Sequence, residues 1–305
     1  MIGHRLMGNS LLLTGDIMEG RVHLDRALAL YSPDQHRPLA MRFGQDAEVS
    51  ILAYRAVALW VLGYPEAALR DTNRAVKSAR AIGQAATLMY ALLNTLRTLI
   101  YCKDDATVTV QVDEVIALAD EKGALMWKAS AMMFRGLLFA VTGKARDAVQ
   151  MITSGFTARQ ATRSTDRELE LLSYLARAYT ELGQFDDACC CIDEAMKAVQ
   201  TTKERWCEAE VNRTVGEIAL KSPQPDEAKA ETHFERALMI ARAQQARSWE
   251  LRAAMSMARL WGDQGKRQQA HDLLAPVYGW FTEGFDTLDL KEAKVLLDEL
   301  ENEHA

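Results

Sequence analysis

Proline is scarce in this 305-residue chain: six occur, and none lies between Pro65 and Pro223. That interval lacks the strongest helix breaker and is rich in Ala, Leu, Glu, Arg and Gln, which are good helix formers. Nothing in it reads as a succession of β-hairpins. Cysteine is rarer still, with only Cys102, Cys189, Cys190, Cys191 and Cys207. An odd number, three of them adjacent on one expected helix, is a poor disulfide framework and fits a reducing cytoplasm. The adjacent three would point about 100° apart, which suits small core hydrophobes better than joint chelation.

A basic excess is also missing. The formal net charge is −6, which argues against a general nucleic-acid binder. No stretch approaches the ~18 consecutive apolar residues of a membrane span. Leu11–Leu13 is the one apolar stretch near the N-terminus, and no small-residue cleavage site follows it, so no signal peptide is expected. The expectation is a soluble cytoplasmic protein without nucleic-acid or membrane partners. Catalytic signatures are lacking too: there is no Gly-x-x-x-x-Gly-Lys-Ser/Thr loop, no Gly-x-Ser-x-Gly elbow, no Cys-x-x-Cys and no His-Glu-x-x-His. The histidines are scattered over different segments. No catalytic residue, metal site or cofactor is expected.

What the chain has is internal repetition. A residue set recurs in which a small residue sits in a first helix, a glycine ends that helix, and alanines recur in the next. The clearest copy carries Leu172, Leu175, Ala176, Tyr179, Gly183, Ala188, Ile192 and Ala195. Other copies carry Gly8, Gly15, Leu24 and Ala27; Ala56, Gly63, Ala68 and Ala75; and Gly136, Gly143 and Ala148. Gly216, Phe234 and Ala237 mark a sixth copy, with its turn stretched over residues 221–227, and Ala258, Gly265, Ala270 and Leu274 mark a seventh. A third, around Leu96 and Val112, has Lys103-Asp104-Asp105 in place of its turn glycine. This order of small and large positions is that of tetratricopeptide repeats, with a period of about 40 residues rather than about 34.

The expected fold is therefore all-α, a right-handed superhelical solenoid of about seven helix pairs. The units fall at about 1–34, 49–83, 89–123, 129–163, 169–203, 209–245 and 251–283. Residues 32–46 read as a long loop between the first two units. Asp289 with Glu292 suggests an N-cap pair opening a capping helix over 289–301, where Leu290, Ala293, Leu296, Leu297 and Leu300 follow helical spacing. Met1 falls directly into the first helix of a repeat, so the array is expected to continue upstream in a longer parent. Trp127, Trp206 and Trp249 fall near starts of first helices, as core aromatics, staples between repeats or ligand contacts.

Leu273–Asp286, with Tyr278, Trp280 and Phe285 crowded together, followed by Asp289–Lys294, resembles the C-terminal end of a bacterial signalling family. Its members fuse a class III adenylate/guanylate cyclase, or another signalling module, to an AAA-type signal-transduction ATPase and then to tetratricopeptide repeats. His36–Ala40, Phe43–Asp46, Ala58–Pro65 and Gln244–Trp261 are similar to other parts of that repeat region. The resemblance covers essentially the whole chain but only the family's repeat arm. It implies a sensing or regulatory role and carries over no enzymatic activity.

In such arrays the first helices line the concave face. Projecting their inner positions gives Tyr54, Trp60, Asn94, Arg97, Tyr101, Phe134, Tyr174, Arg177, Arg213 and Arg259 as candidate contacts. The arginines suit a ladder for carboxylates or an extended peptide. The competing reading pairs them with Glu170, Glu181, Glu210 or Glu217 on the same or neighbouring helices. The expected partner is a protein or peptide, or other modules of a parent chain. The alternative is a stand-alone adaptor or co-chaperone scaffold, for which Ala53 and Val57 are unsuited at the inner places that Arg5 and Asn9 hold in the first unit.

Overall fold

A computed structural model describes residues 1–160 and 168–302. Among the described residues the structure is helical, without a strand, and its long helices pack in consecutive pairs. The pairs are α1 (Ile2–Thr14) with α2 (Ile17–Ala29), and α5 (Ala47–Val61) with α6 (Pro65–Ile82). They continue with α7 (Ala85–Tyr101) and α8 (Asp105–Lys122), then α9 (Leu125–Val141) and α10 (Ala145–Gln160). After residue 167 come α11 (Glu168–Glu181) with α12 (Phe185–Thr202), α13 (Glu208–Lys221) with α14 (Glu227–Ala243), and α15 (Arg247–Asp263) with α16 (Arg267–Tyr278). A final helix, α17 (Leu288–Asn302), packs on α15 and α16. The expected end of the fourth unit, at 161–163, lies outside the described residues.

First helices and second helices are built differently. From Ala91 to Tyr101 every residue of α7 is buried, because a first helix packs its own partner on one side and adjacent units on the others. Second helices such as α6 bury one stripe, Ala68, Thr72, Ala75 and Ala79, and leave the other face charged. Small residues set the distance within a pair. A Cβ built on Gly216 of α13 would lie 2.4 Å from the Phe234 ring of α14, so only glycine lets that ring close against the backbone.

The array curls until its first units touch its last. The carbonyl of Leu13, at the end of α1, accepts hydrogen bonds from the amides of Arg205 (2.8 Å) and Trp206 (3.2 Å) before α13. The Ser248 hydroxyl of α15 donates to the Trp60 carbonyl of α5. At the start of α6 the Glu283 carboxylate accepts from the Ala67 amide (3.0 Å), while Glu66 accepts from the Gly284 amide (3.0 Å). This reciprocal pair satisfies amides that helix and loop geometry leave open.

Two expectations are corrected. Residues 32–46 are not an open loop: they wind into α3 (Pro33–His36), a 3-10 turn (Arg37–Leu39) and α4 (Ala40–Phe43) before Asp46 caps α5 by accepting from the Glu48 and Val49 amides. Asp289 and Glu292 do not form an N-cap pair. The Lys291 amide already bonds the Thr287 carbonyl, so α17 begins earlier. Asp289 turns inward to Arg252 (2.7 Å), and Glu292 meets Arg259 (3.2 Å) at the surface.

Candidate functional site

All the candidate residues except Trp60 divide between two concavities on the inner side of the curl. A groove of about 320 Å³ gathers Tyr54, Asn94, Arg97 and Phe134 from α5, α7 and α9. Tyr90 and Trp127 stand half-buried at its side, their ring centroids 6.2 Å apart and edge to face, and Met126 is exposed beside them. Buried Met133, Phe134 and Leu171 are also among its walls. A second, polar cavity of about 140 Å³ collects Tyr101, Tyr174, Arg177, Arg213 and Arg259.

Between the two lies a buried network. Arg97 reaches Glu170 of α11 through Nε at 2.7 Å and Nη2 at 2.5 Å, and the Tyr101 hydroxyl donates to the other oxygen of the same carboxylate. Burial by itself would lower the Arg97 pKa, but Glu170 outweighs it and holds the guanidinium above its ordinary value. Trp60 stacks on Tyr101 at 4.2 Å and meets Trp249 edge-on at 4.8 Å. Arg252 lies over Trp60, Tyr101 and Trp249, 5.0–5.4 Å from each ring, with its charge met by Asp289.

The arginine ladder is thus an internal one over much of its length. Arg213 donates to Glu210 (2.7 Å) and to Glu217 on its own helix. Arg177 approaches Glu217 at 3.9 Å, and Arg259 meets Glu292. Trp60, Tyr101 and Tyr174 are at most 3% exposed and belong to the core, as do Trp206 and Trp249. Tyr54, Arg177 and Arg259 keep accessible surface, and Trp127 is the one of the three tryptophans that borders the groove. Of the three adjacent cysteines only Cys191 is buried, where desolvation pushes its thiol up to about 12; Cys189 and Cys190 face outward.

Several site residues escaped the sequence reading. Arg252 shares a helix face with Met255 and Arg259 by its spacing, which is the signal that marks it. Lys103 was visible only as a missing glycine, and nothing local tells that its side chain enters a cavity beside α11 and α15. Among the described residues no group of His, Cys, Asp and Glu is placed to hold a metal ion. No described helix is long and apolar enough to cross a membrane. The chain matches no protein-family model, and no curated protein shows significant similarity to it.

Proposed function

We propose that the chain is a non-catalytic, partner-binding array of tetratricopeptide type, right-handed, and the regulatory arm of a bacterial multidomain signalling protein of the cyclase–ATPase kind in the cytoplasm. The observation that carries the binding reading is the groove where Tyr54, Tyr90, Trp127 and Phe134 converge from three consecutive first helices. Tyrosine and tryptophan offer large, stiff contact area at small entropic cost. The exposed Met126 beside them is flexible enough to follow the shape of what binds. The occupant that suits such walls is a peptide segment with aromatic or aliphatic anchors, from another protein or from another module of the same chain. The signalling assignment is supported by the likeness of Leu273–Asp286 and Gln244–Trp261 to that family's repeat region.

A random-peptide display selected on the chain, with Trp127→Ala and Tyr54→Ala as counter-targets, tests the groove. Recovered peptides are expected to lose about tenfold or more in affinity on Trp127→Ala, the loss of an aromatic anchor. Peptides that bind the variants unchanged, or no enrichment at all, would remove the groove from consideration. Reading the gene upstream of Met1 tests the second part. An in-frame module with a Gly-x-x-x-x-Gly-Lys-Ser/Thr loop is expected, and a stop codon directly upstream would favour the free-standing adaptor.

A further inference from the structure

The polar cavity has features that the partner-binding reading does not use. Its walls bring together Lys103, Arg177, Arg213, Arg252 and Arg259. Glu217, Asp289 and Glu292 also line it, and Glu210 stands behind Arg213 and Arg252. The cations outnumber these carboxylates by one, and the carboxylates are unequally shared. Arg213, Arg252 and Arg259 each have a carboxylate within 3.2 Å. Among the described residues Arg177 has Glu217 as its one ion-pair partner, at 3.9 Å and already engaged by Arg213. The Lys103 ammonium has one hydrogen-bond contact, the Val141 carbonyl at 3.5 Å, with Asp289 and Asp105 acting on its charge from further off.

Two further observations point to a ligand. Among the described residues the Tyr174 hydroxyl, on a side chain 1% exposed in the cavity wall, finds no hydrogen-bond partner. Buried hydroxyls are rarely left so. Lys103 also occupies a left-handed backbone position, φ 61°, at a turn where the matching residues of other units are Gly63, Gly143, Gly183 and Gly265. Glycine is the cheap residue there, and a β-carbon is disfavoured. Lys203 and Gln245 hold the same left-handed region at other helix ends, so what sets Lys103 apart is that its side chain lines the cavity.

We propose that this cavity binds a small carboxylate-bearing molecule, its carboxylate held by Lys103, Arg177 and the Tyr174 hydroxyl. The guanidinium fork of Arg177 matches the planar carboxylate, the ammonium supplies a point charge, and the phenol donates the third hydrogen bond. A cavity of about 140 Å³ admits a molecule of a few heavy atoms. Burial and the nearby Arg252 lower the Lys103 pKa, so a bound anion would favour proton retention there. The site lies across the Arg97–Glu170–Tyr101 network from the aromatic groove, and the proposal stands whether or not that groove takes a peptide.

Titration calorimetry and thermal denaturation of the full chain with acetate, succinate and inorganic phosphate, against chloride at matched ionic strength, test it. Saturable binding of a carboxylate with a raised unfolding temperature is expected. Lys103→Gly, which suits the left-handed turn, should fold with an unchanged or raised unfolding temperature and bind at least tenfold more weakly. Tyr174→Phe, which removes only the unpartnered hydroxyl, should weaken binding severalfold without loss of stability. No saturable binding beyond chloride would overturn the proposal, as would two folded variants that bind like the parent. Tighter binding of phosphate than of either carboxylate would overturn the assignment to a carboxylate.

Discussion

Arg97 and Glu170 lie 73 residues apart in the chain, on α7 and α11, yet they form a two-point ion pair in which both side chains are at most 5% exposed. Tyr101, one turn after Arg97, donates to the same carboxylate, so three side chains close one buried network across the inside of the curl. Taking two charges out of water is costly, and the pair is compensated only while both members are present.

Removing one partner should therefore be far worse than removing both. Arg97→Met is expected to destabilise the chain by roughly 3–5 kcal/mol, because Glu170 is left buried and unpaired. The double variant Arg97→Met with Glu170→Met should regain most of that loss. Urea denaturation of the two singles and the double supplies the cycle. Additive losses would show that the residues do not act as a pair.

The closure of the curl can be read from two glycines with similar backbones. Gly63 and Gly183 are both left-handed, at φ 90° and 73°, so an alanine at either meets the same intrinsic penalty of about 1–2 kcal/mol. A Cβ on Gly63 would also lie 2.5 Å from the Trp280 ring, contributed by the far end of the chain, whereas Gly183 has nothing within 4 Å. Gly63→Ala should thus cost roughly 1–3 kcal/mol more than Gly183→Ala, the usual range for overpacking. Equal losses in denaturant unfolding would mean that the ends do not meet in solution.

Acid should act through the cavity walls. Burial works against the charge on Glu210 and Glu217, but Arg213 outweighs it and both carboxyls are held below their ordinary value. A carboxyl depressed in the folded state contributes stability that is present above its unfolded pKa, about 4.3, and is lost as the pH falls through the folded value. Thermal unfolding followed from about pH 5 to about pH 2 should show this as a falling midpoint. Glu210→Gln should be less stable at neutral pH and lose less on acidification. A parallel fall in both proteins would remove Glu210 from the account.

Much of the architecture was written locally. The recurrence of Ala176, Gly183 and Ala188, and of their counterparts in other units, marks helix pairs because a close crossing needs small side chains wherever it occurs. Contacts between a first helix and its own second helix span few residues, so the repeat pattern reports them directly. The carboxylates that meet Arg97, Arg177 and Arg213 were among the partners the sequence offered, but helical spacing accounts only for those of Arg213 on its own helix.

Tertiary structure alone decided which inner positions stay open. A helical period places Trp60, Tyr101 and Tyr174 on an inward face, but it does not say whether that face meets solvent or the opposite wall. The answer depends on how far the stack curls, which sums small angles between units and is closed by Leu13 with Arg205 and by Glu66 with Gly284. The closed curl buries the aromatic centre and brings Lys103 to a cavity shared with residues more than 70 positions away, while the packing of α17 on α15 makes Asp289 and Glu292 counter-ions. No local pattern carries that information, because the groups that meet there are neighbours only through the packing of everything between them.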